Sequence, residues 1–148
     1  MKHRISPRGI LEKDGKILFI EYKDSQGIFY SLPGGSQNTG EDLRTSLHRE
    51  FKEETDLDIE SHEIILVREF MLTTSDFELW KDGIHQIEII FKCSLVNADQ
   101  VPGAGSHLDI GMTGFKWLTK EEIKSLRVYP TKDLIEIIEN NKLTYLLN

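Results

Sequence analysis

The chain has 148 residues, of which 39% are hydrophobic and 29% are charged, a size typical of one domain with a buried core. The net charge of −7 argues against a nucleic acid polymer as partner, because such a partner requires a basic surface. No apolar run has the length of a signal-peptide core or a membrane span, and the single Cys93 excludes an internal disulfide. We therefore expect one domain, residues 1–148, in a cytoplasmic protein without a membrane partner, with Cys93 as a buried thiol.

The first part of the chain predicts β structure. Residues 10–12 and 17–22 are apolar-rich and flank an Asp-Gly sequence, which favours a hairpin turn. Residues 29–32 predict a short strand, and the Pro-Gly-Gly sequence after it predicts a sharp turn.

The first predicted helix covers residues 41–55, where three large apolar residues recur every four positions and form one stripe. Asn38 or Thr39 is the expected N-cap. Glu41 and Asp42 are expected in the first turn, where the helix dipole favours acidic residues.

The remaining elements alternate with two long loops. The predicted strands are 63–70, 86–95 and 115–118, the predicted loops are 73–83 and 97–114, and the predicted helical segments are 119–122 and 132–141. The glycine-rich loop 97–114 is expected near a functional site. Strands on both sides of a central helix, with another helix at the end, predict an α/β sandwich with a mixed β-sheet.

Glu50, Glu53 and Glu54 have the i, i+3, i+4 spacing that places side chains on one side of a helix. Their like charges would destabilise the helix unless a cation neutralised them, and carboxylate oxygens are the ligands that Mg²⁺ and Mn²⁺ prefer. The three side chains lie beside the apolar stripe, so they are expected to flank a crevice next to the core. Taken alone, such a triplet is more often a solvated helix face with local ion pairs.

The wider segment from Gly35 to Leu57 favours the metal site. Gly35 is followed by residues 36–40 and then by Glu41. From Arg49 the chain reads Arg-Glu-Phe-Lys-Glu-Glu-Thr-Asp-Leu. The order and spacing resemble the box of the Nudix hydrolase family, and a preceding Leu-Pro-Gly extends the likeness. The resemblance implies a Nudix-type α/β/α sandwich with a mixed β-sheet.

Two positions depart from the family pattern. Phe51 stands where the pattern has a bulky aliphatic or similar residue, and it fits the apolar stripe. Asp56 replaces a glycine at the point where the helix should end through a left-handed residue. Because Asp adopts that conformation more readily than most residues, we expect an intact turn at a modest cost.

The resemblance also implies roles for the three glutamates. Glu53 and Glu54 would be the main ligands of a divalent metal, with Mg²⁺ the expected ion and Mn²⁺ the alternative. Glu50 would complete the cluster, or would orient and deprotonate the attacking water. The three are thus both the metal-binding and the catalytic candidates.

Four other residues of this region are expected to support the site without reacting. Glu41 and Arg49 would form a structural ion pair that ties the loop to the helix. Gly34 and Gly35 would let the backbone pass close to the metal.

Nudix enzymes cleave a nucleoside diphosphate linked to another group, which the box does not specify. For a chain of this length we expect a small nucleotide-type substrate, a nucleoside triphosphate or a modified nucleotide. An ADP-ribose or nucleotide-sugar pyrophosphatase, for which a homodimer would complete the site, is the alternative among enzymes. A non-catalytic Nudix-like nucleotide sensor is the alternative from another class, although such proteins typically lose a box glutamate and this chain keeps all three.

Substrate contacts are expected outside the box. Arg8 has the guanidinium group that can grip a phosphate, although a surface ion pair is the commoner role for such a residue. Tyr30 is the main candidate for stacking on a base, although core packing is commoner for aromatic residues. The other aromatic candidates are Tyr22, Phe29, Phe77 and Trp80.

An acidic residue outside the box is a further candidate ligand or base. The candidates are Glu69, Glu78, Glu88 and Asp109. Glu88 would reach the metal only if its side chain pointed into the cleft, and an exposed strand acid is the more usual arrangement. The sequence provides no partner to orient His85 or His107, so neither is assigned to the site.

Overall fold

The structure of the chain is a computed structural model, which describes residues 1–73, 81–103, 105 and 111–148. The strands in these residues are β1 (Lys2–Lys13), β2 (Lys16–Asp24), β3 (Gly27–Ser31), β4 (Ile59–Leu72), β5 (Ile84–Leu95), β6 (Met112–Thr119), β7 (Val128–Tyr129) and β8 (Thr144–Leu147). The helices are α1 (Leu43–Thr55), α2 (Lys120–Ser125) and α3 (Leu134–Asn140). No helix in the described ranges is long and apolar enough to cross a membrane.

The strands form a mixed sheet in the order β7-β3-β2-β1-β5-β4-β8, and β6 pairs with β2 beside this path. β1 belongs to both halves of the sheet. Its last residues pair antiparallel with β2 through the predicted Asp-Gly turn, in which Asp14 and Gly15 both have positive φ. Its earlier residues, from Lys2 to Leu11, pair in parallel with β5. β1 therefore joins the β2 side of the sheet to the β5 side.

Helices cover both faces of this sheet. Leu47 and Phe51 of α1 pack with Leu11 and Leu18 in one apolar cluster. A second cluster joins the other face to α2 and α3, and it includes Ile10, Ile17, Phe19, Ile123 and Leu134. Neighbouring residues of β1 and β2 alternate between the two clusters, because successive side chains of a strand point to opposite faces. The predicted α/β/α sandwich with a mixed sheet is therefore confirmed.

Several element boundaries differ from the predictions. β1 begins at Lys2, whereas the local pattern predicted a strand only over 10–12, because the pairing with β5 is a long-range contact. β4 likewise extends beyond 63–70 at both ends, and the short strands β7 and β8 were not predicted. The predicted helical segments 119–122 and 132–141 correspond to α2 and α3.

The start of α1 also corrects the sequence prediction. The N-cap is Asp42 instead of Asn38 or Thr39, because the Asp42 carboxylate accepts a hydrogen bond from the Thr45 backbone N–H at 2.8 Å. Consequently Glu41 precedes the helix and the first turn contains no acidic residue.

Cys93 packs partly buried against the α1 cluster. Desolvation raises the pKa of its thiol to about 12, so little of it is ionised near neutral pH. This environment agrees with a structural thiol and gives no support to a nucleophilic one.

Candidate active site

The turn that follows β3 is held directly against β1. Gly35 donates its backbone N–H to Pro7 O at 3.2 Å, and Gly34 forms an isolated β-bridge with Arg8. Gly34 has a φ of 142°, and a Cβ at this position would overlap the Pro7 carbonyl oxygen. Only glycine therefore fits where the turn crosses β1.

Gly35 brings the same turn against α1. A Cβ on Gly35 would lie 2.6 Å from the carboxyl carbon of Glu50, so any other residue here would displace the Glu50 carboxylate. The turn therefore approaches a glutamate of the helix closely, and its predicted approach to a metal stays a prediction.

The three glutamates of α1 differ in their exposure. Glu54 is buried, with 2% of its surface exposed, whereas the side chains of Glu50 and Glu53 are 13% and 26% exposed. Thr55 and Phe51 on the same helix are fully buried, so the cluster stands at the border between core and solvent. This gradient agrees with the predicted position beside the apolar stripe.

Arg49 connects these acids to the loop before the helix. Its Nε and Nη2 donate to the two carboxylate oxygens of Glu41 at 2.7 and 2.9 Å, and Nη2 also donates to Ser36 O at 3.1 Å. Hydrogen bonds from Arg49, followed by one from the Asn38 backbone, lower the pKa of Glu41 to about 2. The expected Glu41–Arg49 ion pair is therefore present in the structure.

Arg49 also contacts two of the three α1 glutamates. Its Nη1 donates to Glu50 Oε1 at 3.0 Å and to Glu53 Oε2 at 3.2 Å. These contacts partly neutralise the negative charges of Glu50 and Glu53, which were expected to be neutralised by a metal. Among the described residues, no three His, Cys, Asp or Glu side chains are arranged as a metal site.

The profile of the NUDIX domain matches residues 4–137, which is most of the chain. The chain belongs to the Nudix family. An ADP-ribose pyrophosphatase of Methanocaldococcus jannaschii is 49% identical over 51 residues. These residues represent 33% of this Nudix chain and 30% of that relative, so the match spans less than a third of the relative's length.

Two solved structures show the same fold. The MutT protein of Methanosarcina mazei Go1 superimposes with a TM-score of 0.69 and 24% identity, and the alignment covers 95% of this chain and 96% of that one. A NUDIX hydrolase from Nitrosomonas europaea gives a TM-score of 0.70 and 16% identity, covering 100% of this chain and 80% of that one. The predicted Nudix-type fold is therefore confirmed.

Asp56, which departs from the Nudix box, ends α1 in the left-handed conformation with a φ of 58°. Its backbone N–H donates to Lys52 O at 3.1 Å, and its carboxylate pairs with Lys52 Nζ at 3.2 Å. The helix therefore ends as a glycine would end it, and the expected intact turn is present.

The described part of the predicted loop 97–114 packs on this end of α1. Gln100 anchors the loop to the residues after α1. Its side-chain amide accepts a hydrogen bond from Asp58 N at 2.8 Å and donates one to Asp58 O at 3.0 Å. Gly103 N–H donates to Thr55 O at 2.9 Å, and a Cβ on Gly105 would overlap Glu53 O. This part of the loop therefore contacts the backbone of α1 near the box glutamates, and the sequence did not indicate the contact of Gln100 with Asp58.

Arg8 lies beside the box, but in an internal ion pair. Its Nε donates to Glu88 Oε1 at 3.1 Å and its Nη1 donates to Leu32 O at 2.9 Å. Burial opposes its charge, yet neighbouring acidic groups, Glu88 first and Glu54 among the others, raise its pKa overall. The prediction of a surface ion pair is wrong in its location, since the side chain is only 13% exposed.

Glu88 corrects a second prediction. It was expected to be an exposed strand acid, but it is 3% exposed, and the side chains of Arg8 and Arg68 from the neighbouring strands contact its carboxylate. Its second oxygen accepts from Arg68 Nη1 at 3.1 Å, and Gln86 Nε2 donates to Oε1 at 3.0 Å. The contacts of Arg68 and Gln86 with Glu88 were not predicted. A charged residue such as Glu88 within an apolar strand does indicate a buried partner.

Aromatic residues form a cluster at the β2–β3 end of the sheet. Tyr22 and Phe29 stack with ring centroids 5.1 Å apart, and Tyr129 meets Phe29 edge-on at 5.7 Å. The guanidinium of Arg127 lies 4.8 Å above the Phe29 ring and is held by two hydrogen bonds to Asp24. We refer to Tyr22, Phe29 and Tyr129 as the aromatic cluster.

Tyr30 does not join this cluster. It packs in the core that joins the sheet to α2 and α3, its hydroxyl donates to Glu21 Oε2 at 3.2 Å, and it is 6% exposed. This burial does not favour the predicted role in substrate binding. The candidates Phe77, Glu78, Trp80, His107 and Asp109 lie outside the described residues.

Glu69 and His85 contact each other on neighbouring strands, with Glu69 Oε1 2.6 Å from His85 Nε2. The Tyr145 hydroxyl donates to the other carboxylate oxygen at 2.9 Å. The hydrogen bond from His85, followed by that from Tyr145, lowers the pKa of Glu69. His85 therefore has the orienting partner that the sequence did not reveal, and Glu69 is engaged with it.

Proposed function

We propose that this chain is a divalent-metal-dependent pyrophosphohydrolase that cleaves the diphosphate linkage of a nucleoside diphosphate derivative. The observation that carries the proposal is that the glycine turn contacts both β1, an interior strand of the sheet, and the glutamate side of α1. There, the backbone at Gly35 lies against the carboxylate of Glu50. Membership of the Nudix family and the pyrophosphatase name of the Methanocaldococcus jannaschii relative support the same reaction class.

The type of donor atom suits a hard divalent cation. Glu50, Glu53 and Glu54 supply carboxylate oxygens, the ligands that such cations prefer, and Gly35 lets the backbone of the turn approach the Glu50 carboxylate. Glu53 and Glu54 would hold the ion and Glu50 would complete the set, with Mg²⁺ the expected ion and Mn²⁺ the alternative. A bound ion would neutralise diphosphate charge and lower the pKa of a coordinated water.

The residues of the chain have separate tasks in this scheme. Glu41 anchors Arg49, and Arg49 keeps Glu50 and Glu53 from repelling each other before a metal arrives. The carboxylates of Glu50 and Glu53 are more exposed and accessible to substrate, whereas Glu54 is buried. Glu50 is our candidate for orienting and deprotonating the attacking water, because it stands next to the glycine turn.

Two observations bear on the substrate class: the aromatic cluster and the name of a relative. A nucleoside triphosphate or a modified nucleotide is our first candidate, and the half-exposed rings of Phe29 and Tyr129 support binding of an aromatic base. ADP-ribose or a nucleotide sugar is the second, because a relative that is 49% identical over 51 residues is named ADP-ribose pyrophosphatase. A nucleotide sensor is disfavoured by the retention of all three box glutamates.

A substrate screen tests the reaction class. The full chain is incubated with nucleoside triphosphates, ADP-ribose and nucleotide sugars, in Mg²⁺ and in EDTA, and products are separated by chromatography. We expect release of a nucleoside monophosphate from at least one compound in Mg²⁺ and none in EDTA. Binding of these compounds without turnover of any would contradict the enzyme and support the sensor.

A further inference from the structure

The strand β8 presents exposed apolar side chains. Leu143, just before the strand, and Tyr145 and Leu147 within it are 67%, 58% and 61% exposed, and they alternate with half-buried Thr144 and Leu146. Leu146 packs on the core that contains α3, so the exposed side chains of the strand point away from that core. Single exposed apolar residues are common, whereas a contiguous row is typical of an interaction surface. We refer to Leu143, Tyr145 and Leu147 as the β8 row.

β8 is also an end strand of the sheet. Among the described residues it pairs only with β4, in parallel, and the Asn148 backbone N–H donates to Glu69 O at 3.0 Å. Because successive residues of a strand direct their backbone groups to opposite sides, those of Tyr145 and Leu147 face away from β4. Proteins usually protect such an edge with charged residues or proline, but residues 143–148 contain neither. The edge can therefore accept a further strand.

The order of residues in the β8 row favours a second copy of this chain as the partner. Two antiparallel copies of β8, related by a two-fold axis at Tyr145, bring the two tyrosines opposite each other and place each Leu143 opposite a Leu147. Every residue of the row then meets an apolar residue on the same face of a continuous sheet. In this register the outward backbone groups of the row also form hydrogen-bonded pairs.

The distribution of charge favours the same partner. The chain has a net charge of −7, so two copies repel each other over much of their surfaces, but the β8 row carries no charge. Glu69, which lies opposite Leu147 on β4, is engaged within its own chain by Tyr145 and His85 at 2.9 and 2.6 Å. The hydrogen bond to Glu69 also holds the Tyr145 side chain in place, which lowers the entropic cost of association.

We propose that two copies of this chain associate through their β8 strands, which pair antiparallel about a two-fold axis at Tyr145. The sheet of one copy then continues into the sheet of the other. One short strand and one apolar row form the contact, so the dimer is weak and its population depends on protein concentration. The proposal does not depend on the proposed function, because no glutamate of α1 takes part in it.

Sedimentation velocity of the full chain between about 10 and 500 µM tests the proposal. We expect the weight-average sedimentation coefficient to rise with concentration toward that of a dimer. Leu143→Glu and Leu147→Lys, each alone, should weaken the association at least about tenfold, because each places an unpaired charge against an apolar residue of the other copy. Lysine is used at position 147 because Glu69 lies opposite it on β4.

The double variant Leu143→Glu/Leu147→Lys tests the register. Each introduced glutamate then faces an introduced lysine of the other copy, so the double variant should associate at least about fivefold more tightly than either single variant. A general loss of stability or of apolar surface would not recover in this way.

Hydrogen exchange of the wild type tests the same pairing without a substitution. The amides of Tyr145 and Leu147 face away from β4 and should gain protection as the protein concentration rises. The amide of Leu146 faces β4 and should change little. Equal exchange of Tyr145 and Leu147 at low and high concentration would contradict the pairing, even if the single variants did not fold.

Ile28→Lys is the matched control, because Ile28 is an apolar strand residue that is 51% exposed and lies in β3, away from β8. It should associate as the wild type does. The proposal would be overturned by a wild type that stays monomeric over the whole concentration range. Equal weakening by Ile28→Lys, or no recovery in a folded double variant, would also overturn it.

Discussion

Arg49 is the residue on which the charge balance of the candidate site depends. It contacts Glu41, Glu50 and Glu53 at the same time, with distances between 2.7 and 3.2 Å. The resemblance to the Nudix family implied the pair with Glu41. The two other contacts could not be predicted, because they depend on how one guanidinium is oriented by Glu41 and Ser36.

The Glu41–Arg49 pair predicts a dependence of stability on pH. Arg49 and the Asn38 backbone hold the pKa of Glu41 at about 2, below its ordinary value of 4.5. A depressed pKa in the folded state means that the contribution is present above pH 4.5 and is lost as the pH falls toward 2. We expect the melting temperature of the wild type to fall more steeply across this range than that of Glu41→Gln.

Glu60→Gln, at an exposed glutamate outside the site, is the control for this measurement. Its melting temperature should follow the wild type at every pH. Parallel curves for the wild type and Glu41→Gln between pH 4.5 and 2 would show that the pair contributes nothing to stability.

At the scale of elements, α1 was the most predictable part of the chain. Its apolar stripe, its length and its glutamate side all follow from spacing of about four residues, and local spacing is what a sequence displays. Its N-cap was mistaken because several residues before the helix are good caps, and only the contact from Asp42 to Thr45 decides among them.

The end of α1 allows a test of Asp56, which stands where the Nudix box has glycine. Because Asp56 has a φ of 58°, Asp56→Gly should relieve side-chain strain and raise the free energy of unfolding by about 0.5 to 1 kcal/mol. Asp56→Ala should lower it by a similar amount, since alanine has no polar group to support this conformation. Urea denaturation measures both. A lower stability for Asp56→Gly would mean that the exposed pair with Lys52 outweighs the strain.

Across the whole molecule, the strand pairings that are local in sequence were predicted, and the long-range pairings were not. The hairpin between β1 and β2 carries a local Asp-Gly signal, whereas the parallel pairing of β1 with β5 has none. That pairing buries Glu88 and brings it to Arg8, so the burial of both residues could not be inferred from strand patterns. Tyr30 has the core role that is commoner for an aromatic residue, and its burial depends on packing with α2 and α3, which are distant in sequence.

We propose that residues 1–148 unfold as one domain. β1 and β2 contribute to both apolar clusters, so loss of either cluster removes support from the other. We expect a single thermal transition, with coincident curves from far-ultraviolet circular dichroism and tryptophan fluorescence and a calorimetric enthalpy equal to the van't Hoff enthalpy. Two resolved transitions would contradict a single domain.

Turnover of Glu53→Gln on the best substrate at saturating Mg²⁺ tests whether the glutamates of α1 carry metal-dependent hydrolysis. The variant keeps the size of the side chain and removes its charge, so we expect a loss in kcat of at least about 100-fold with an unchanged melting profile. Glu60→Gln should keep the wild-type kcat, because Glu60 is exposed and lies outside the site. Wild-type turnover by Glu53→Gln would contradict the assignment of this helix as the catalytic centre.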